Sequence, residues 1–191
     1  MRKQTKSFLI YCEGKTERQY FGYINQYYKG IYITVKEFND DSPSLKSLKL
    51  YLSTRSDFDY IFIVTDIEDK NLRLDEIKKL INDIEGSKYE NIEVIFSNPC
   101  FELWFLLHFK KVNYHILTKD IKNHLNDSLH ENYNKSNLSD YFIKMLMKNL
   151  SNAIRNNKSI YKENISKNPN CNVYNVILDL EKESTNSFLN N

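Results

Sequence analysis

The chain has 191 residues, of which 41% are hydrophobic and 27% charged, and its mean hydropathy is −0.60. These values suit one large soluble domain, or a core domain with a helical extension. The apolar runs are too short to span a membrane, and we expect no membrane partner. Its three cysteines, Cys12, Cys100 and Cys171, form no Cys-x-x-Cys pair. We therefore expect reduced thiols, no zinc site and a cytoplasmic protein.

The net charge of +2 hides an uneven distribution along the chain. Residues 1–30 and 109–162 carry +4 and +6, whereas residues 31–108 and 163–191 carry −6 and −2. An acidic middle between basic ends is typical of a metal-holding crevice with an anionic polymer across its rim. A basic helical face that is simply solvated explains the same pattern.

The first predicted strand is the apolar run 8–12, which stops at Glu13. From Thr16 onward the apolar residues have helical spacing, and Gly30 is expected to end this helix. Glu13 therefore lies at the carboxyl end of a strand and just before a helix, where open α/β sheets bind ligands. Glu17, one helical turn further on, is expected to face the same crevice.

Gly-Lys-Thr at residues 14–16 has the ending of a phosphate-binding P-loop. That motif needs a glycine five residues before Gly14, and Leu9 stands there, inside the predicted strand. The P-loop interpretation is therefore excluded. Glu13 and Glu17 remain either ordinary turn carboxylates or members of a site.

Three more predicted strands alternate with helices through the acidic middle of the chain. The strands are at 31–38, 60–64 and 92–96, and the helices are at 45–52 and 72–84. Ser42, Pro43 and Ser44 provide the start signals of the first of these helices. The order β-α-β-α-β-α-β predicts an α/β fold with a parallel sheet of about four strands and right-handed crossovers.

The third strand runs into Asp66 and Glu68, which point to the same side if the chain stays extended. If the first and third strands are neighbours, these two carboxylates converge on Glu13 and repel it unless they are protonated or bind a metal. Oxygen ligands alone select Mg²⁺ or Mn²⁺ rather than zinc. An acidic N-cap for the next helix is the competing interpretation of residues 66–69.

Residues 97–109 are apolar nearly all round, which predicts a buried helix. Pro99 suits its first position, with Ser97 or Asn98 as the cap. The chain after it is predicted to be helical and basic. Helices are expected at 117–129, 138–154 and 173–180, separated by polar breaks at 132–137 and 168–170. The last helix is expected to pack on the sheet.

Two polar residues stand out inside the helix at 97–109. The buried carboxylate of Glu102 needs a partner, which is a metal, Lys15, an arginine or a backbone cap. His108 is better explained as a core histidine than as a metal ligand. These considerations divide the chain into an α/β core at 1–109, a basic helical extension at 110–183 and a frayed tail at 184–191.

Four segments, taken in order, resemble the RloB family of small bacterial proteins with a Toprim-like core. They are Cys-Glu-Gly-Lys-Thr-Glu at 12–17, the acidic pair at 66–68, the segment at 97–109, and Asn-Pro-Asn-Cys-Asn-Val-Tyr at 168–174. The resemblance covers almost the whole chain. It implies that Glu13 fills the Toprim glutamate position and that Asp66 and Glu68 fill the Asp-x-Asp positions.

Residues 13–17 are also similar to the Glu-Gly-x-x-Glu of OLD-type nucleases, in which the second glutamate, here Glu17, joins the metal site. Glu68 departs from the family pattern because it replaces an aspartate and lengthens the side chain by one methylene. Further side chains are expected around the metal without binding it directly. These are Asp69, Asn98 and Glu102.

The resemblance implies an Mg²⁺- or Mn²⁺-dependent nuclease that hydrolyses phosphodiester bonds of DNA or RNA in bacterial defence against phage. The expected metal ligands are Glu13, Glu17, Asp66 and Glu68. Lys15 would contact the scissile phosphate and Lys135 would hold the strand. An ATPase subunit is a further expected partner.

Two other functions stay open. One is a non-catalytic nucleic-acid-binding subunit, and the other is an enzyme acting on a small phosphorylated molecule. A narrow pocket lined by tyrosine and lysine would favour the small molecule. A groove continuous with the basic face at 110–158 would favour nucleic acid.

Overall fold

The computed structural model describes residues 4–38, 44–53, 57–68, 71–129, 132–135, 137–187 and 189. One five-stranded sheet has the order β2-β1-β3-β4-β5. The strands are β1 (Lys6–Cys12), β2 (Ile31–Glu37), β3 (Tyr60–Asp66), β4 (Ile92–Asn98) and β5 (Asn170–Cys171). The first four strands are parallel, and β5 pairs antiparallel with β4.

Eight helices accompany the sheet in the described residues. They are α1 (Lys15–Ile24), α2 (Leu45–Leu52), α3 (Asn71–Glu85), α4 (Glu102–Leu107), α5 (Thr118–Leu129), α6 (Asp140–Lys148), α7 (Leu150–Ile160) and α8 (Tyr174–Glu183). The predicted α/β fold, with a parallel sheet and a helical C-terminal part, is confirmed. Among these helices there is none whose length and apolar character would allow it to cross a membrane.

The central strand β3 is buried on both faces of the sheet, as its unbroken apolar sequence predicts. Ile61 and Ile63 point into a core that they share with α2 and α3. Phe62 and Val64 point into the opposite core, to which α1 and the helices from α4 to α8 contribute. This alternation, which follows from the two-residue period of a strand, places helices on both faces.

The start of α2 was predicted correctly, because the Ser44 hydroxyl accepts a hydrogen bond from the Ser47 N–H at 3.1 Å. Ser42 and Pro43 lie outside the described residues. The predicted end of the first helix is wrong. The helix stops at Ile24, and the backbone of Tyr27 and Lys29 instead bonds to the segment 184–186. That segment is therefore docked rather than frayed.

Two other helix boundaries also differ from the prediction. The predicted helix at 138–154 is interrupted at Asn149, whose side-chain amide donates to the Met145 carbonyl at 2.9 Å. Pro99 is not the first residue of a helix, since α4 begins only at Glu102. The reason is that β4 continues through Asn98, so Ser97 and Asn98 pair with β5 and cannot cap a helix.

The Asn-Pro-Asn-Cys-Asn segment holds β5 in place through three asparagine side chains. Each side-chain amide both donates to and accepts from backbone. Asn168 bonds the N–H and carbonyl of Ile116, and Asn170 those of Lys162. Asn172 accepts from the Phe96 N–H at 2.7 Å and donates to the Val94 carbonyl at 3.0 Å. Asn172 thus provides hydrogen-bond partners for the backbone at the edge of β4, at positions that the two residues of β5 do not reach.

Candidate acidic site at the carboxyl end of the sheet

Strands β1 and β3 are direct neighbours, with Cys12 opposite Val64. Glu13, which follows β1, and Asp66, which ends β3, therefore lie at the same edge of the sheet. The Glu13 carboxylate contacts the end of β3 directly: its Oε2 accepts from the Thr65 hydroxyl at 2.6 Å and from the Asp66 N–H at 3.1 Å. Of the convergence predicted from strand order, the structure therefore shows the part that brings Glu13 to the end of β3.

Arg73 in α3 neutralises Glu13. Its guanidinium forms an ion pair with Glu13 Oε1 and also donates to the Thr65 hydroxyl at 3.1 Å and the Asp66 carbonyl at 3.2 Å. The Arg73 side chain is only 9% exposed. A buried guanidinium with several oxygen partners is held rigidly, so Glu13 is fixed against the end of β3.

Asp66 carries a carboxylate oxygen, Oδ1, that is buried and has no hydrogen-bond partner among the described residues. Burial is the main cause of a pKa well above the usual aspartate range. Repulsion from Glu17, Glu102 and Glu13 adds to it, and a hydrogen bond from the Phe101 backbone opposes it. An unpartnered buried oxygen is costly, and it marks a place where a proton or a cation would be stabilised.

Glu17 is buried in the first turn of α1. Burial raises its pKa to about 7, the nearby Glu102 and Glu13 add to the rise, and a backbone hydrogen bond and Lys135 counteract it. The carboxylate folds back over Gly14, where an added Cβ would lie 2.8 Å from Glu17 Oε2. Glycine at this position therefore leaves room for the Glu17 side chain.

Glu102, in the first turn of α4, has two partners from the segment before α6. The Tyr133 hydroxyl donates to its Oε1 at 3.2 Å, and Lys135 Nζ lies 3.5 Å from the same oxygen. The Thr16 hydroxyl donates to the Lys135 carbonyl at 3.2 Å, which ties this segment to α1. Lys15 is exposed at the start of α1, and Lys135 is the lysine that lies beside Glu102.

Two more predicted site residues, Glu68 and Asn98, do not belong to this buried group. The Glu68 side chain is exposed and its backbone has a φ of 53°, so the extended conformation that would place it beside Asp66 ends with the strand. Asp69 lies outside the described residues. Asn98 donates its amide to the Ile165 carbonyl at 3.1 Å and thereby holds a loop. The metal roles of Glu68 and Asp69 stay predictions.

Three residues of the site were not found from the sequence: Thr65, Arg73 and Tyr133. Arg73 lies in register with Ile77 and Leu80 on the buried face of α3, and a charged residue in an apolar stripe is a usable signal. Tyr133 is an aromatic residue inside a polar break, which is a weaker signal. Thr65 gives no signal, because a threonine is an ordinary residue in a strand.

The acidic site contains more carboxylates than cations, and a divalent cation could offset this imbalance. Four carboxylates, from Glu13, Glu17, Asp66 and Glu102, face two cations, Arg73 and Lys135. Arg73 also pairs with Glu76 at 3.1 Å, so carboxylates outnumber cations here, and all donors are oxygens, which suits Mg²⁺ or Mn²⁺. Within the described ranges, however, no three acidic, histidine or cysteine side chains are positioned as a ready metal site.

A pocket with a cavity volume of about 370 Å³ adjoins the buried carboxylates. Its lining residues come from the start of α4, the first turns of α5 and the segment before α6. They are Glu102, Thr118, Lys119, Lys122, Tyr133 and Lys135. Glu102 and Tyr133 are buried, whereas the lysines reach solvent.

The fold and the site define an α/β protein with a carboxylate-rich site at the carboxyl ends of two adjacent parallel strands. Within this class, the chain belongs to the family described as RloB-like protein, which matches residues 8–180. No curated protein and no solved structure matches the chain. The matched span includes the whole acidic site and all the lysines of the pocket.

Proposed function

We propose that this protein is a metal-dependent phosphodiesterase that cleaves nucleic acid at the acidic site. The observation that carries the proposal is the unpartnered buried oxygen of Asp66, which lies among the carboxylates of Glu13, Glu17 and Glu102. Carboxylates that have been drawn together without enough cations are typical of sites that act on phosphate esters through a divalent ion.

The donor set fits Mg²⁺ or Mn²⁺, with Asp66 and Glu17 as the central ligands. Glu13 is a further ligand if its carboxylate exchanges Arg73 for the ion, and Glu68 is one from the exposed side of the same edge. A divalent ion bound here would lower the pKa of a bound water and offset charge on the attacked phosphate.

The side chains of the chain itself contribute positioning and charge. Thr65 and Arg73 orient Glu13, and Tyr133 orients Glu102. Lys135, which is 67% exposed, has its ammonium group at the boundary between the buried carboxylates and solvent. There it is suited to contact a phosphate oxygen of the substrate. Lys15, also exposed near Glu13, is a second candidate for such a contact.

The biological setting of the proposal rests on family membership. The chain belongs to the RloB-like proteins, and the Toprim resemblance of its motifs implies a nuclease of bacterial phage defence. Under this proposal the enzyme acts on DNA or RNA in an abortive-infection-like response, beside an ATPase subunit. A non-catalytic nucleic-acid-binding subunit is the alternative if the site holds no ion.

One observation favours a second candidate function. The pocket of about 370 Å³ is lined by Tyr133 and three lysines, and such a lining also suits a small phosphorylated molecule. In that case the same carboxylates would act on a phosphoryl group of a metabolite. The two candidates predict different substrates for one site.

A cleavage assay tests the leading proposal. Wild type, Glu13→Gln, Asp66→Asn and a control, Glu85→Gln, are incubated with single- and double-stranded DNA and RNA in Mg²⁺, Mn²⁺ or EDTA. Glu85 is exposed at the end of α3, so its substitution should leave activity unchanged. We expect cleavage by wild type and the control in Mg²⁺ or Mn²⁺, no cleavage in EDTA, and a loss of at least 100-fold in the other two variants. Equal activity in all four proteins would exclude these carboxylates from the reaction.

A further inference from the structure

The pocket beside the acidic site combines several features that attract phosphate. Lys119 and Lys122 from α5 and Lys135 line it together with Thr118, the first residue of that helix. Within the described residues the side chains of Lys119 and Lys122 form neither a hydrogen bond nor an ion pair. The amino end of a twelve-residue helix adds a partial positive charge to theirs.

The acidic residue of the lining does not cancel this attraction. Glu102 is buried, and its Oε1 already accepts from Tyr133 and faces Lys135. The pocket therefore has two lysines beyond the one that balances Glu102. The Tyr133 ring and the aliphatic stems of the lysines give it an apolar wall as well.

The size of the pocket limits what can enter it. A cavity of about 370 Å³ lies at the lower end of the range for small-ligand sites, a size that suits one nucleotide better than a base pair. A base in a duplex reaches such a pocket only after unstacking and unpairing, which costs a few kcal/mol. An unpaired strand avoids this cost.

We propose that this pocket binds one nucleotide of an unpaired nucleic-acid strand next to the phosphate that the acidic site cleaves. This inference rests on the proposed function and adds the substrate class, single-stranded rather than duplex nucleic acid. A strand is favoured over a free nucleotide because the lysines are exposed. Their charges thus remain accessible to phosphates on both sides of the bound nucleotide.

Binding in EDTA tests the inference without any cleavage. Fluorescence anisotropy is measured with labelled 12-nucleotide single strands of DNA and RNA, the matched duplexes, and adenosine monophosphate as a competitor. The test variant is Lys119→Gln/Lys122→Gln. The control is Lys144→Gln/Lys148→Gln, which removes the same charge from exposed positions of α6 outside the pocket. Circular dichroism verifies that both are folded.

We expect single strands to bind wild type at least ten times more tightly than duplexes. The pocket variant should lose at least tenfold in affinity, against less than threefold for the control. For the pocket variant the slope of log K against log salt concentration should become less negative by about 1.4, that is, by about 0.7 for each lysine removed. Equal losses in the two variants, equal binding of duplex, or competition by the mononucleotide as strong as by the strand would overturn the inference. Because no metal is present, failure of the nuclease proposal would leave the binding result readable.

Discussion

The guanidinium of Arg73 in α3 forms an ion pair with the carboxylate of Glu13 at the end of β1. Through this pair, and through the bonds of Arg73 to Thr65 and Asp66, helix α3 is connected to the ends of both central strands. Arg73 therefore places a positive charge in direct contact with Glu13, the carboxylate that the sequence marks most clearly. Arg73 and a metal ion would compete for the same oxygens.

Replacing Arg73 should show how much the Arg73–Glu13 ion pair contributes to the stability of the fold. In EDTA, Arg73→Met should lower the free energy of unfolding by about 2–4 kcal/mol, because Glu13 then stays partly buried without its cation. Urea denaturation measures the difference. Lys79→Met removes an exposed lysine of the same helix, which pairs with Asp83 at 3.1 Å, and should change little. Equal effects of the two substitutions would show that the buried pair has no special role.

The buried Glu17 predicts a dependence of stability on pH. Its pKa is about 7 in the folded protein, against 4.5 as the ordinary value, so the folded state binds the proton more tightly. This tighter binding of the proton stabilises the folded state. In EDTA the stabilisation is full below pH 4.5, and the free energy of unfolding falls by about 2–3 kcal/mol as the pH rises to 7.

Chemical denaturation from pH 4 to 8 can isolate the contribution of Glu17. Wild type should lose stability relative to Glu17→Gln as the pH rises between 4.5 and 7. His108 acts in the opposite direction, because burial lowers its pKa to about 4, but it is present in both proteins and cancels in the comparison. Parallel pH profiles of the two proteins would contradict the assignment.

Asn172 is expected to be the critical residue of the β5 segment. Asn172→Ala leaves the Phe96 N–H and the Val94 carbonyl without their partners, both in the buried strand β4. We expect a loss of about 2–4 kcal/mol in the free energy of unfolding. Asn123→Ala, at an exposed position of α5, should be neutral or slightly stabilising. Similar losses in both would mean that the side-chain bridge adds nothing to the stability of the sheet.

The regular part of the fold followed from the sequence because its signals are local. Apolar runs that end at polar residues predicted β1 to β4, and the helical spacing of apolar residues predicted the helices between these strands. β5 was missed because its two residues, Asn170 and Cys171, are too few to show the alternating pattern of a strand. Its position is set by the side chain of Asn172 and by β4, which are far apart along the chain.

The site was predictable only as far as strand order determines it. Adjacent strands brought Glu13 and Asp66 together, as expected. The sequence could not give the pairing of side chains, since Arg73 and Lys135 reach the site from segments whose positions depend on tertiary packing. Nor could it give the turn at Glu68, where the backbone adopts a φ of 53° and turns away from the extended path.

The central claim is that the carboxylates at this edge of the sheet hold a divalent ion, and direct titration with Mn²⁺ tests it. Binding is followed by electron paramagnetic resonance in wild type, Asp66→Asn, Glu68→Gln and the control Glu85→Gln. We predict saturable binding in wild type and the control, a loss of at least 100-fold in Asp66→Asn, and a smaller loss in Glu68→Gln, whose side chain is exposed. Equal Mn²⁺ affinity in wild type and Asp66→Asn, or no binding to wild type at millimolar Mn²⁺, would contradict the account.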